Sequence, residues 1–393
     1  MRVLLFTGKG GVGKTTTAAA TALHLAAAGQ RVVVTSADPA HSLADSLGVP
    51  LGSEPVEIAT RCWAQQLDAR ERLEENWGEI RSFMVEVFDW AGVEAIEAEE
   101  LSVIPGLDEL FALTEVESLC RSGDHDVVVV DCAPTAETIR LLSLPDILSW
   151  YMDRLYPASR RVNRMVGPLV SRLTSLPVAD DSVFAAGRRL YDELDAVRRL
   201  LSDPTTTSAR LVLTPEAMVI AEARRTYTYL SLFGYQVDAV VVNRVLPESV
   251  RDPWFDEWRR SQDEHLATIE ASFGAVPIVR AAHAGAEVVG HEALRSFARQ
   301  LWQDLDPAER LSSGLPLRVE RDRDQIVLSI ELPFTGQHEL DVTRNRDELF
   351  VAVGPHRRTL VLPDSLRRRE IDSAAMLDGR LHVRFGDAPV MSV

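Results

Sequence analysis

Lysine is almost missing from this chain. Of its 42 basic residues in 393, two are lysines, Lys9 and Lys14, and the other 40 are arginines. Cysteine is scarce too. Cys62, Cys120 and Cys132 are far apart, with no C-x-x-C, which excludes a disulfide framework and offers no zinc-ligand spacing. No apolar run reaches the roughly 18 residues of a membrane-spanning helix. The opening "MRVLLF" is too short for a signal peptide, so a cytoplasmic protein is expected. A positive balance is also absent, since the formal charge is −17. From Pro316 onward 12 Arg face 13 Asp+Glu, so nearly all of the acidic excess lies in the first 315 residues. An acidic field of this size repels phosphate backbones and excludes nucleic acid as a partner.

What is present reads as an ordinary globular chain, 46% hydrophobic and 26% charged. "RVLLF", "RVVVTSAD", "DVVVVDCAP", "ARLVLTP" and "DAVVVNRV" are short apolar runs of buried-strand type. Helical patterns separate them; the first, "TTTAAATALHLAAAG", stops at Gly29. The alternation predicts an α/β fold with a mostly parallel sheet. Two stretches, about 60–119 and 146–202, read as helices only and are expected to be insertions. In the first, Leu73, Trp77, Ile80, Met84, Val87 and Phe88 recur at helical spacing, and Phe83 adds a further apolar ring. These residues either bury one another or line an exposed client groove. "SSGLP" then ends a first domain, 1–311. Beyond it, short alternating strands predict a β-sandwich over 316–393.

The two lysines lie five residues apart in "FTGKGGVGKTTTA". Gly8 to Thr15 fits G-x-x-x-x-G-K-[ST] after a strand and before a helix, the phosphate-binding context. Gly8, Gly10, Gly11 and Gly13 let the backbone from Gly8 through Val12 to Thr16 wrap a phosphate. Lys14 is expected on the β- and γ-phosphates of ATP, or the β-phosphate of ADP, and Thr15 on Mg²⁺. Arginine's planar fork cannot replace the compact ammonium of Lys14. Asp131, closing the "VVVV" run, is placed to reach Mg²⁺ through water. Asp38, closing "VVVTSAD", is placed to orient or deprotonate the attacking water, or else caps the helix of "PAHSLADSL".

Lys9 has no required role in an ordinary P-loop. A second lysine in "GKGGVGKTT" resembles the deviant Walker A (SIMIBI-type) P-loop NTPases, in which this residue reaches the nucleotide of the partner subunit. The order of "GKGGVGKTT", "ADPAHSLAD", "IPGLDEL", "DCAPTAETIRLLSLP", "VVNRV" and "VPIVRAAHAGAEVVGHEAL" is similar to the ArsA/Get ATPases. That family includes the arsenite-pump ATPase and the tail-anchored-protein targeting ATPase. The resemblance covers residues 1 to about 305. It implies a homodimer with Asp38 as catalytic carboxylate and Pro39, His41 and Ser42 in a first switch. Asp131, Ala133, Pro134 and Thr135 would form a second switch. Asn243 would bond the adenine, with the segment after Pro277 closing over the base. Glu216 and Glu222 would approach from the partner, or else stand on a solvated helix face. The tail, with "LVLPDSLRRREIDSAAMLDGRLHVRF", resembles an α-crystallin (small heat-shock protein) domain. Together these imply a hydrophobic or membrane-protein client, for which Trp77, Phe83, Met84 and Phe88 are the candidate contacts.

Two departures from the family pattern stand out. The zinc-clamping C-x-x-C of the eukaryotic targeting branch is replaced by "WFDEW" (Trp254 to Trp258), so no zinc is expected. No cysteine spacing suggests three converging thiolates for arsenite. An arsenite-efflux ATPase and a ParA/MinD-like positioning switch remain the alternatives.

Overall fold

A computed structural model of the chain describes residues 1–36, 42–66, 107–132, 181–323, 325–345 and 347–386. The elements of the first domain are β1 (Arg2–Thr7), α1 (Lys14–Ala27), β2 (Val32–Ser36), α2 (Ser42–Leu47), β3 (Val56–Ala59), β4 (Cys62–Gln66) and α3 (Leu107–Ser122). They continue as β5 (Val127–Asp131), α4 (Asp181–Ser202), β6 (Thr207–Leu213), α5 (Ala217–Leu232), β7 (Val237–Val245), α6 (Asp256–Phe273), β8 (Ile278–Ala282) and α7 (His291–Trp302). The eight strands form one sheet in the order β3-β4-β2-β5-β1-β6-β7-β8. All neighbours run parallel except β3 and β4.

Strands β2 and β5 are valine-rich and, like β6, buried on both faces, as a parallel sheet covered by helices requires. α1 packs with α2 and α7, and α3 packs with α4. The buried Trp302 of α7 donates from Nε1 to Thr21 Oγ1 of α1 at 3.0 Å, which satisfies its one polar atom. Among the described residues no helix is long and apolar enough to cross a membrane.

One reading of the sequence needs correction. The first insertion was expected to be helical from about residue 60, but Cys62–Gln66 is a strand paired with β2. Its "CWAQQ" hides the signal, because Gln65 and Gln66 are buried polar residues held by hydrogen bonds. Gln65 Nε2 donates to Thr35 Oγ1 at 3.5 Å, and Gln66 Oε1 accepts from Ala44 N at 3.4 Å.

The second domain comprises β9 (Leu317–Asp322), β10 (Gln325–Glu331), β11 (Leu340–Asn345), β12 (Glu348–Val353), β13 (His356–Val361), α8 (Asp364–Arg367), β14 (Ile371–Leu377) and β15 (Arg380–Phe385). They form two antiparallel sheets, β14-β15-β10-β9 and β11-β12-β13. Leu328, Ile330, Leu349, Val351, Leu381, Val383 and Phe385 bury their inner faces.

Candidate functional site

The carboxyl ends of β1, β2, β5, β6 and β7 carry the site, on the sheet edge where ligands of open α/β folds bind. The register brings them level. Phe6 of β1 and Ser36 of β2 both pair with Asp131 at the end of β5. The loop after β1 then turns into α1 through Gly13, whose left-handed backbone (φ 95°) suits glycine. Space enforces the choice. A Cβ on Gly13 would stand 2.3 Å from Asn243 Nδ2, and one on Gly8 would stand 2.1 Å from the Val212 carbonyl oxygen. A Cβ on Gly10 or Gly11 would meet no protein atom within 4 Å, so the loop is open above them.

Lys14 is 6% exposed, and its ammonium donates to the Lys9 carbonyl at 3.3 Å. Thr15 Oγ1 donates to Asp131 Oδ2 at 2.7 Å and lies 3.1 Å from Ser42 Oγ. Ser36 Oγ donates to the same Asp131 oxygen at 3.3 Å. Mg²⁺ takes oxygen ligands and keeps several waters. Three hydroxyls and a buried carboxylate gathered beside a phosphate loop are a donor set of that kind. Among the described residues no three His, Cys, Asp or Glu side chains converge on a metal position.

Asn243, at the end of β7, ties this loop to a cavity of about 800 Å³. Its Nδ2 donates to the Val12 carbonyl and its Oδ1 accepts from Arg244 N, both at 2.8 Å. The amide is therefore fixed in orientation, with one N–H and one oxygen lone pair left over. Gly13, Thr16, Glu216, Trp258 and the segment Ala282–Val289 are among the other residues that line it. Pro277 is not part of it. It precedes β8, and its carbonyl accepts from Val240 N, at the end of the strand away from the cavity.

Lys9 pairs with Glu222 of its own chain, Nζ to Oε2 4.0 Å. Burial pushes the thiols of Cys62 and Cys120 up to about 12, and Cys132 is buried. Asp38, Pro39 and His41, then Ala133, Pro134 and Thr135, and also Trp77, Phe83, Met84 and Phe88, lie outside the described residues. Sequence reasoning missed Ser36, whose signal was its place at the end of the "VVVTS" run. It also missed Thr214, whose hydroxyl donates to Glu216 Oε1 at 3.0 Å.

Known proteins share this plan. Residues 1–303 match the family described as anion-transporting ATPase, and residues 323–385 match the HSP20-like domain found in ArsA. A protein of Aquifex aeolicus named "Putative arsenical pump-driving ATPase 1" is 36% identical, over 95% of this chain and 97% of its own. A protein of Prosthecochloris vibrioformis with the same name lacking the numeral is 36% identical, over 98% of this chain and 96% of its own. "ATPase ARSA2" of Chlamydomonas reinhardtii is 30% identical, over 77% of this chain and 84% of its own.

Proposed function

The chain belongs to the anion-transporting ATPase family and hydrolyses ATP, and on that premise we propose that it is a Mg²⁺-dependent, homodimeric switch that handles an apolar protein client. Lys14 holds the β- and γ-phosphates, and Asn243 holds the adenine. Thr15 and, through water, Asp131 hold Mg²⁺, which neutralises charge on the phosphoryl group in transfer. Asp38 orients the attacking water. Lys9 reaches the nucleotide of the partner subunit. Its 4.0 Å pairing with Glu222 is loose enough for a phosphate to displace. Hydrolysis loosens the dimer and moves the helical insertions, where Trp77, Phe83, Met84 and Phe88 meet the client.

The convergence of Lys14, Thr15, Ser42 and Asp131 on one end of the P-loop carries the nucleotide half of this reading. The HSP20-like domain supports the protein-handling half. A second reading, an arsenite-pump ATPase, is favoured by the names of the relatives. The cysteines weigh against it, since a soft metalloid needs thiolates and burial keeps Cys62 and Cys120 protonated.

Two measurements separate the readings. Asp38→Asn loaded with ATP should bind a labelled Leu/Ala-rich helical peptide that the ADP-loaded chain releases. As(III) should leave ATP turnover unchanged. Stimulation by As(III), lost on Cys→Ser substitution, would decide for the pump. The role across the dimer has its own test. Lys9→Ala and Asp38→Asn subunits, each inactive alone, should regain activity when mixed, and failure in proven mixed dimers would place Lys9 in its own site.

A further inference from the structure

Helix α5 spans about 24 Å, at 1.5 Å for each of its 16 residues, and its two halves are gripped by different parts of the molecule. At its start Glu216 lines the cavity under the hold of Thr214, and Glu222 meets Lys9 six residues further on. The second half belongs to the C-terminal domain. The Tyr227 hydroxyl donates to Glu331 Oε1 at the end of β10, 2.9 Å. The Thr228 hydroxyl donates to the Pro333 carbonyl in the turn beyond. Arg358 of β13 donates from Nη1 to the Leu232 carbonyl at 2.6 Å, one of the last-turn carbonyls that no helix N–H reaches.

Ring contacts fill in around these bonds. Phe334 meets Tyr227 edge-on at 6.5 Å, and the His356 ring lies 4.1 Å from that of Tyr229. Apolar packing alone would let the helix slide or turn. Directional bonds from two separate stretches of one domain, the end of β10 with its following turn and β13, fix it both along and around its axis.

We propose that Glu331 and Arg358 are positioning residues for the ATPase site, acting through α5 to set where Glu216 and Glu222 stand. The C-terminal domain is then a working part of the nucleotide site and senses its occupancy. The inference rests on the nucleotide reading of the cavity. Because coupling between two sites is reciprocal, whatever docking does for nucleotide affinity, nucleotide must do for docking.

The test uses the full chain. Tyr227→Phe removes one hydroxyl and keeps the ring. Arg358→Ala removes the bond at the helix end, and Arg358→Lys restores one donor. Arg384→Ala is the control, because it breaks the exposed Arg384–Asp322 pair in the same domain. ADP affinity is read by calorimetry, KM and kcat for ATP by steady-state kinetics, and amide exchange by mass spectrometry.

Tyr227→Phe and Arg358→Ala should each raise the ADP Kd and the KM about 5-fold, the value of one hydrogen bond. In both, kcat should stay near wild type. Arg358→Lys should recover part of the loss, and Arg384→Ala should lose nothing. ADP should slow exchange in residues 329–334 and 356–361. Unchanged ADP affinity, or exchange there that ignores ADP, overturns the proposal. So does an equal loss in Arg384→Ala. If the wild-type chain binds no ADP, with residues 8–16 unprotected, the cavity reading itself falls.

Discussion

Lys14 sits nine-tenths buried, with its ammonium held against the carbonyl of Lys9. A planar guanidinium cannot present the same compact, rotatable charge. Lys14→Arg should therefore fold but lose ATP turnover by about 100-fold or more, the scale of losing one aimed charge stabiliser. Phosphate release is the readout, with circular dichroism as the check on folding, and near-normal turnover would sink the role given to Lys14. This residue was legible in the sequence, because a chain that writes arginine everywhere else keeps lysine where shape matters. Asn243 was legible only in part. The resemblance marks it as an adenine contact, while its bond to the Val12 carbonyl joins residues 231 positions apart. No local pattern encodes that pairing, yet it explains why a side chain at Gly13 has no space.

Among the elements, β6 and β7 share a buried ion pair. Arg210 Nε donates to Asp238 Oδ1 at 3.2 Å, with both side chains sealed from solvent. Arg210 also stacks over Trp302, with 5.0 Å from its guanidinium carbon to the ring centroid. Asp238→Ala leaves that guanidinium buried without its carboxylate, at a cost of about 3–5 kcal/mol. Urea unfolding should show the loss in the midpoint. A midpoint unchanged within error would mean that Arg210 finds another partner. The runs "VVVTS", "VVVV" and "DAVVV" announced their strands because both faces are buried, leaving unbroken apolar sequence. β4 and β8 escaped for two different reasons. β4 ends in two glutamines that hydrogen bonds keep inside. β8, at the sheet edge, alternates with the exposed Arg280 and Ala282. β3 is short and mostly exposed at the other edge, where burial leaves little mark on sequence.

At the scale of the whole molecule, the two domains share an interface with an imidazole packed into it. Burial beside Tyr229 and Phe233 holds the His356 imidazole below its usual 6.5. The unfolded chain takes up that proton first, so the contribution of His356 is complete above 6.5 and falls as pH drops below it. His356→Phe keeps a ring against Tyr229 without the titration. Melting temperatures of variant and wild type should run parallel above pH 6.5 and separate below it, with wild type falling faster. His24 and His125 shift the same way but are common to both chains. Curves that stay parallel down to pH 5.5 would mean that His356 carries no part of the acid response. Between the domains, the stretch that composition marks as a joint is sewn down. The carbonyls of Pro307, Ala308, Glu309, Ser312, Leu315 and Pro316 all accept bonds from Arg2, Arg210, Gln236 or Arg380. A protease must lift backbone out of such bonds before cutting. Trypsin, offered Arg310 in the native protein, should find nothing to bite. Digestion would then yield no separate C-terminal fragment, and the molecule would be degraded as a unit or left whole.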